Sequence, residues 1–180
     1  MVARALAFCL SVVAASCAPY DSKHDAKIPG ELLGTYDVSG QLKSDSCGAE
    51  LLGAPNPWRF DLKLSRFERD LYWLNGREAI VGDIDADGTT FHFRTRIDVP
   101  LTPAAKGAAG CIVSRYDQAD GKLVAGDGDS VTAVTANLSF RYESKSGSEC
   151  LEIIGIPGGV QQLPCTLSYG LGGSRLDQGP

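Results

Sequence analysis

Apolar and polar residues alternate along most of this 180-residue chain. In one segment the apolar Phe60 follows the polar Arg59, and in another the apolar Phe93 precedes the polar Arg94. Residues 132–142 repeat this alternation at greater length. A period of two is typical of a β-strand with one buried face, so we expect both Phe side chains to face the core. The predicted strands cover residues 34–43, 57–66, 70–74, 77–84, 89–98, 110–117, 121–125, 130–143, 151–156 and 165–171.

Short turn signals separate several of these strands. They are Asn75-Gly76, Asp87-Gly88 and Asp120-Gly121. Such pairs between apolar runs favour two-residue type I′ turns, so consecutive strands are expected to be antiparallel neighbours in a meander. About 8 to 10 strands with short turns predict an all-β protein that forms a single closed or partly open barrel, with little helix. A two-sheet β-sandwich is the alternative.

The N-terminal residues have a different character. Arg4 is followed by an apolar run that ends at Val13. This run is too short to cross a membrane core about 30 Å thick and is typical of a secretory signal. The residues Ala14-Ala15-Ser16-Cys17 resemble the lipobox of bacterial lipoproteins, although Ala14 stands where that family usually has Leu. The resemblance implies cleavage before Cys17 and a lipid anchor on its thiol; secretion without a lipid is the alternative.

These features predict the organisation of the whole chain. Residues 1–16 are a signal peptide, 17–31 the lipidated Cys17 with a flexible tether, 32–171 the barrel, and 172–180 a flexible tail. The residue that follows the cysteine is Ala18 and not Asp. By the same resemblance, the absence of Asp at this position implies the outer membrane. We therefore expect an exported protein of the cell envelope, held at the membrane by its lipid.

Four further cysteines, Cys47, Cys111, Cys150 and Cys165, remain in the exported chain. An even number in an oxidising compartment predicts two disulfides, and four cysteines allow three pairings. The turn-forming residues 156–159 lie between two apolar segments and favour a pairing of Cys150 with Cys165. Cys47 is then left to pair with Cys111.

The net charge and the motifs of the chain limit which partners and cofactors we expect. The chain has a net charge of −5 and no basic cluster, which argues against nucleic acid as a partner. Asp83, Asp85 and Asp87 precede a glycine, as in an EF-hand loop, which makes them a weak calcium candidate. Arg94 stands where that loop needs a Glu, and a solvated outer face is the simpler interpretation. No cofactor is expected.

The residues Gly34-Thr35-Tyr36 are similar to the G-x-W motif that opens lipocalins. The resemblance implies a barrel that binds a small apolar ligand in its mouth. No G-x-S-x-G or H-E-x-x-H motif is present, so an enzyme is not the favoured hypothesis. The sequence predicts binding or scaffolding, with a small apolar ligand or an envelope protein as partner. The alternative is a hydrolase whose carboxylates meet only in the folded chain.

Overall fold

A computed structural model describes residues 29–48, 55–75, 78–103, 109–128, 130–157 and 159–176. The strands are β1 (Glu31–Asp45), β2 (Trp58–Phe67), β3 (Asp70–Asn75), β4 (Glu78–Ile84), β5 (Thr90–Thr102), β6 (Cys111–Ala125), β7 (Val131–Ser144) and β8 (Cys165–Arg175). A 3₁₀ helix spans Leu151–Ile153. Across these ranges, no helix is long and apolar enough to cross a membrane. The predicted signal peptide, Cys17 and most of the tether lie outside the described residues.

The eight strands form one closed barrel. Each strand pairs antiparallel with the next along the chain, and β8 pairs with β1 from Tyr36↔Arg175 to Asp45↔Leu167. This confirms the predicted antiparallel meander and barrel. The β-sandwich alternative is wrong, because the pairing of β8 with β1 closes the sheet on itself and leaves no open edge between the first and last strands.

One predicted turn does not form. Asp120-Gly121 was expected to end a strand, but β6 continues through both residues to Ala125. Gly121 lies directly opposite Phe91 on β5, and a Cβ atom at Gly121 would collide with the Phe91 ring. Gly121 is therefore needed because an aromatic ring lies over the strand, and not because the chain reverses there.

Two other boundaries differ from expectation near the C-terminus. Residues 151–156 form no paired strand; they contain the 3₁₀ helix, and Ile154 makes an isolated parallel bridge with Val160. β8 continues to Arg175, so residues 172–175 belong to the barrel and not to a tail. This extension lets β8 pair with β1 and β7 along nearly its whole length.

The two predicted disulfides are present, but their expected pairing was wrong. Cys47 bonds to Cys165 and Cys111 bonds to Cys150, with Cα–Cα distances of 5.0 and 4.6 Å. Cys47 follows β1 and Cys165 begins β8, and barrel closure makes these two strands neighbours. The expected hairpin between Cys150 and Cys165 is absent because residues 151–156 do not pair with β8.

The interior is divided into two clusters. Phe93 belongs to the larger one and Phe60 packs against it, while Arg59 and Arg94 are exposed, as the alternation predicted. The larger cluster contains Tyr36, Val38, Leu62, Leu64, Leu71, Ile84, Phe91, Phe93, Ala119, Leu123, Val134, Leu138, Leu167, Tyr169 and Leu171. The smaller cluster surrounds the disulfides and contains Cys47, Cys111, Val113, Tyr142, Cys150 and Cys165. Phe140 packs against both.

Candidate functional site

A cavity of about 330 Å³ lies inside the half of the barrel that carries the disulfides. It is lined by Trp58, Phe60, Asp61, Trp73, Ile80, Phe93, Thr95, Arg115, Asp117, Gln118, Ala119, Leu138 and Phe140. Sites for small molecules are commonly clefts of about 300 to 1,000 Å³ with apolar and aromatic walls and few polar groups. This cavity has such a lining, and its volume falls at the lower end of that range.

Aromatic rings form most of the cavity wall. Trp58 and Phe60 project from the start of β2, with ring centroids 4.7 Å apart. Phe60 stacks on Trp73 at 5.9 Å with an interplanar angle of 11°, and Trp73 meets Phe93 edge to face. Phe140 lies 6.2 Å from Trp58 and continues the wall on the other side. The rings are partly buried and present flat apolar surface to the cavity.

One ion pair interrupts this apolar wall. On β6 the inward positions continue from Val113 through Arg115 and Asp117 to Ala119. Nε and Nη2 of Arg115 donate to the two carboxylate oxygens of Asp117, each at 2.7 Å. The guanidinium also lies 5.2 Å from the centre of the Phe140 ring. The cavity therefore offers a fixed, planar polar group beside an aromatic face.

Arg115 remains charged beside the cavity. Burial acts to lower the pKa of Arg115, but the hydrogen bond and the charge of Asp117 outweigh it, and the pKa is raised. Tyr142 lies directly opposite Arg115 on β7, and burial raises the pKa of its phenol against the opposing effect of the guanidinium. At neutral pH Arg115 is therefore a cation, and the phenol of Tyr142 opposite it is neutral.

Two neighbouring strands, β4 and β5, are only partly paired next to the cavity. Among the described residues, β4 and β5 pair only from Gly82 to Ile84, so the first half of β4 is not bonded to β5. Ile80 on that half of β4 and Thr95 on β5 both line the cavity. The unpaired part of β4 and the facing part of β5 therefore border the cavity.

The cavity does not contain the arrangement that the hydrolase alternative needs. Its lining carboxylates are Asp117 and Asp61. Both oxygens of Asp117 accept hydrogen bonds from Arg115, and Asp61 lies on an outward, exposed position of β2. The two lining carboxylates therefore do not face each other across the cavity as an acid and base pair.

The weak calcium candidate is only partly assembled. Asp83 and Asp85 lie close together, and the third member of the group is His92. The carboxylate of Asp87 instead closes its own turn, accepting from the backbone N–H groups of Thr89 and Thr90, both at 2.8 Å. The hydroxyl of Thr90 also donates to this carboxylate and has the largest effect on its pKa. Together these hydrogen bonds hold the pKa of Asp87 well below its usual range.

The sequence reasoning did not find Arg115 and Asp117. Both fall in the predicted strand 110–117, at alternate positions that continue from Val113, which is buried. Two charged residues at i and i+2 in an inward phase are a signal for a buried ion pair, and this signal was present in the sequence. The aromatic wall was harder to predict, because Trp58, Trp73 and Phe140 meet only through barrel closure.

The cavity, with its aromatic residues and ion pair, is the candidate binding site. Its residues come from β2 to β7, so it depends on the whole barrel and not on a local motif. Comparison of the chain with protein-family models, with curated proteins and with solved structures finds no match.

Proposed function

We propose that this protein is an exported, lipid-anchored barrel of the bacterial cell envelope that binds a small, flat, largely apolar molecule. The observation that carries the binding proposal is the 330 Å³ aromatic cavity with its single ion pair. Flat aromatic walls favour stacking with a planar ligand, and the pair of Arg115 with Asp117 offers a polar contact at one side. A concave interior site favours a small ligand over an envelope protein as the partner.

The fluorescence of the two tryptophans gives a direct binding assay. Trp58 and Trp73 are the only tryptophans in the chain, and both line the cavity. The dye 8-anilinonaphthalene-1-sulfonate, which is flat and aromatic, is a suitable first probe. We expect saturable one-to-one quenching of tryptophan emission, accompanied by an increase in dye emission.

Filling the cavity should abolish this binding. Ala119 is buried between Phe93 and Leu138 on the neighbouring strands and lines the cavity. The variant Ala119→Phe places a ring in the cavity, and we expect dye affinity to fall at least about tenfold, which is about 1.4 kcal/mol. Thr135→Phe, at an exposed position of β7, is the matched control and should bind like the parent protein.

A second variant separates occlusion from misfolding. Phe140→Leu removes the ring that faces Arg115 but keeps an apolar side chain of similar reach. Its affinity should also fall while the thermal transition is retained. Unchanged dye affinity in both folded variants would place the dye elsewhere and contradict the cavity as the binding site.

The anchor is tested separately from the cavity. The lipobox-like residues Ala14 to Cys17 support an acylated thiol, and two disulfides are typical of proteins in oxidising compartments. Cys17→Ser should abolish metabolic labelling with a fatty-acid analogue and release the protein from the membrane fraction of Gram-negative cells. Fatty-acid labelling that persists in this variant would contradict the lipid anchor on Cys17 but leave the cavity proposal intact.

A further inference from the structure

A second group of ligand-type side chains lies on the outer face of the barrel, away from the cavity. The register places Asp83 on β4 directly opposite His92 on β5, and His92 directly opposite Asp120 on β6. Asp85 follows β4 at the start of the next turn. One donor atom from each of Asp83, Asp85 and His92 lies within 4.8 Å of the other two. These three residues form a mixed nitrogen and oxygen donor set that solvent can reach.

A residue outside this set orients the imidazole. Nδ1 of His92 lies 2.6 Å from Oδ1 of Asp120, while Nε2 faces Asp85 with Oδ2 at 3.5 Å. A carboxylate accepts hydrogen bonds, so this short contact assigns the ring proton to Nδ1, which donates to Asp120. A histidine held by a carboxylate through one nitrogen, with the other nitrogen facing further donors, is the usual arrangement of a metal-binding histidine.

Asp120 is itself fixed in position. Gln118 donates to Oδ2 at 2.6 Å and Arg94 donates to Oδ1 at 2.7 Å. These contacts anchor the carboxylate that orients His92, and they leave Nε2 free to face Asp83 and Asp85. The orientation of His92 thus comes from β6, which contributes no atom to the three-donor group itself.

The spacing suits a small divalent ion. Metal–ligand bonds of about 2.1 Å in tetrahedral geometry place ligand atoms about 3.4 Å apart. The distance from His92 Nε2 to Asp85 Oδ2 already has this value at 3.5 Å. Asp83 is exposed and can turn toward the same point. Asp70 lies directly opposite Asp83 on β3, and a cation here would also offset the repulsion between these carboxylates.

We propose that Asp83, Asp85 and His92 bind a divalent first-row transition metal ion, for which Zn²⁺ is the best-suited member. Imidazole nitrogen favours zinc over calcium and magnesium, which prefer oxygen ligands alone. Three protein ligands leave a fourth position for water or for a group from a partner. This site is independent of the cavity ligand, since it lies on the outer face of β4 and β5.

Calorimetric titration of Zn²⁺ into EDTA-treated protein at pH 7.5 tests the proposal. We expect one ion per chain, and a Kd at least about tenfold weaker in His92→Asn and in Asp85→Asn. Asp120→Asn should also weaken binding by about tenfold, since outer partners of a metal-binding histidine typically contribute 10- to 100-fold. Asp127→Asn, in the acidic turn after β6, is the matched control and should bind Zn²⁺ like the parent protein.

Co²⁺ gives a second readout that does not depend on heat. Its visible absorption should appear at one equivalent in the parent protein and be lost in His92→Asn, whose fold is checked by circular dichroism. No one-to-one uptake of Zn²⁺ at millimolar concentration, or unchanged affinity in folded His92→Asn, would overturn the proposal. Ca²⁺ that binds as tightly as Zn²⁺ would overturn the assignment to a transition metal.

Discussion

Replacing Phe93 with Asp is expected to unfold the barrel. Phe93 is 4% exposed, and its ring lies 5.9 Å from that of Trp73 and 5.6 Å from that of Phe91. Loss of a buried Phe costs about 3 to 5 kcal/mol, and an unpaired buried carboxylate adds to this cost. The sum is comparable with the whole stability of a typical domain, about 5 to 15 kcal/mol. Circular dichroism at neutral pH should show no cooperative thermal transition.

The matched control lies on the outer face. Arg59 is exposed on β2, opposite Ser39, and Arg59→Ser should change the free energy of unfolding by no more than about 0.5 kcal/mol. Arg94 also faces outward, but its guanidinium binds Asp120 at 2.7 Å, so it is a poorer control. A Phe93→Asp variant that melts like the parent protein would contradict the assigned face of β5, since a one-residue shift exchanges the two faces.

The strands were predictable because their signal is local. The burial of Phe93 and the exposure of Arg94 follow from alternation alone, and the strand boundaries of β2 and β7 differ from expectation by about one residue. The turn predicted at Asp120-Gly121 was wrong because the same two residues can form a turn or place a glycine beneath an aromatic ring within a strand. Only the cross-strand partner, Phe91, distinguishes the two cases.

The site was less predictable because its parts are far apart in the chain. Phe60 on β2, Phe93 on β5 and Phe140 on β7 share one cavity only after the sheet closes. The grouping of His92 with Asp83 depends on the pairing of β4 with β5. Long-range register decides both sites, and a single sequence carries little information about it.

Removing the Cys47–Cys165 disulfide is expected to cause the second large effect. This bridge joins the end of β1 to the start of β8 across a sequence separation of 118 residues. Loop entropy predicts a stabilisation of about 5 kcal/mol for such a separation. For Cys111–Cys150, separated by 39 residues, the corresponding value is about 4 kcal/mol. Urea unfolding of Cys47→Ser/Cys165→Ser should therefore show a loss of several kcal/mol, somewhat larger than that of Cys111→Ser/Cys150→Ser.

The pairing itself can be tested without any variant. Non-reducing peptide mapping of the native protein should link Cys47 to Cys165 and Cys111 to Cys150, and all four thiols should resist alkylation until reduced. A link between Cys150 and Cys165 would contradict the two bridges of the structure, in which Cys165 bonds to the end of β1 and Cys150 to the start of β6.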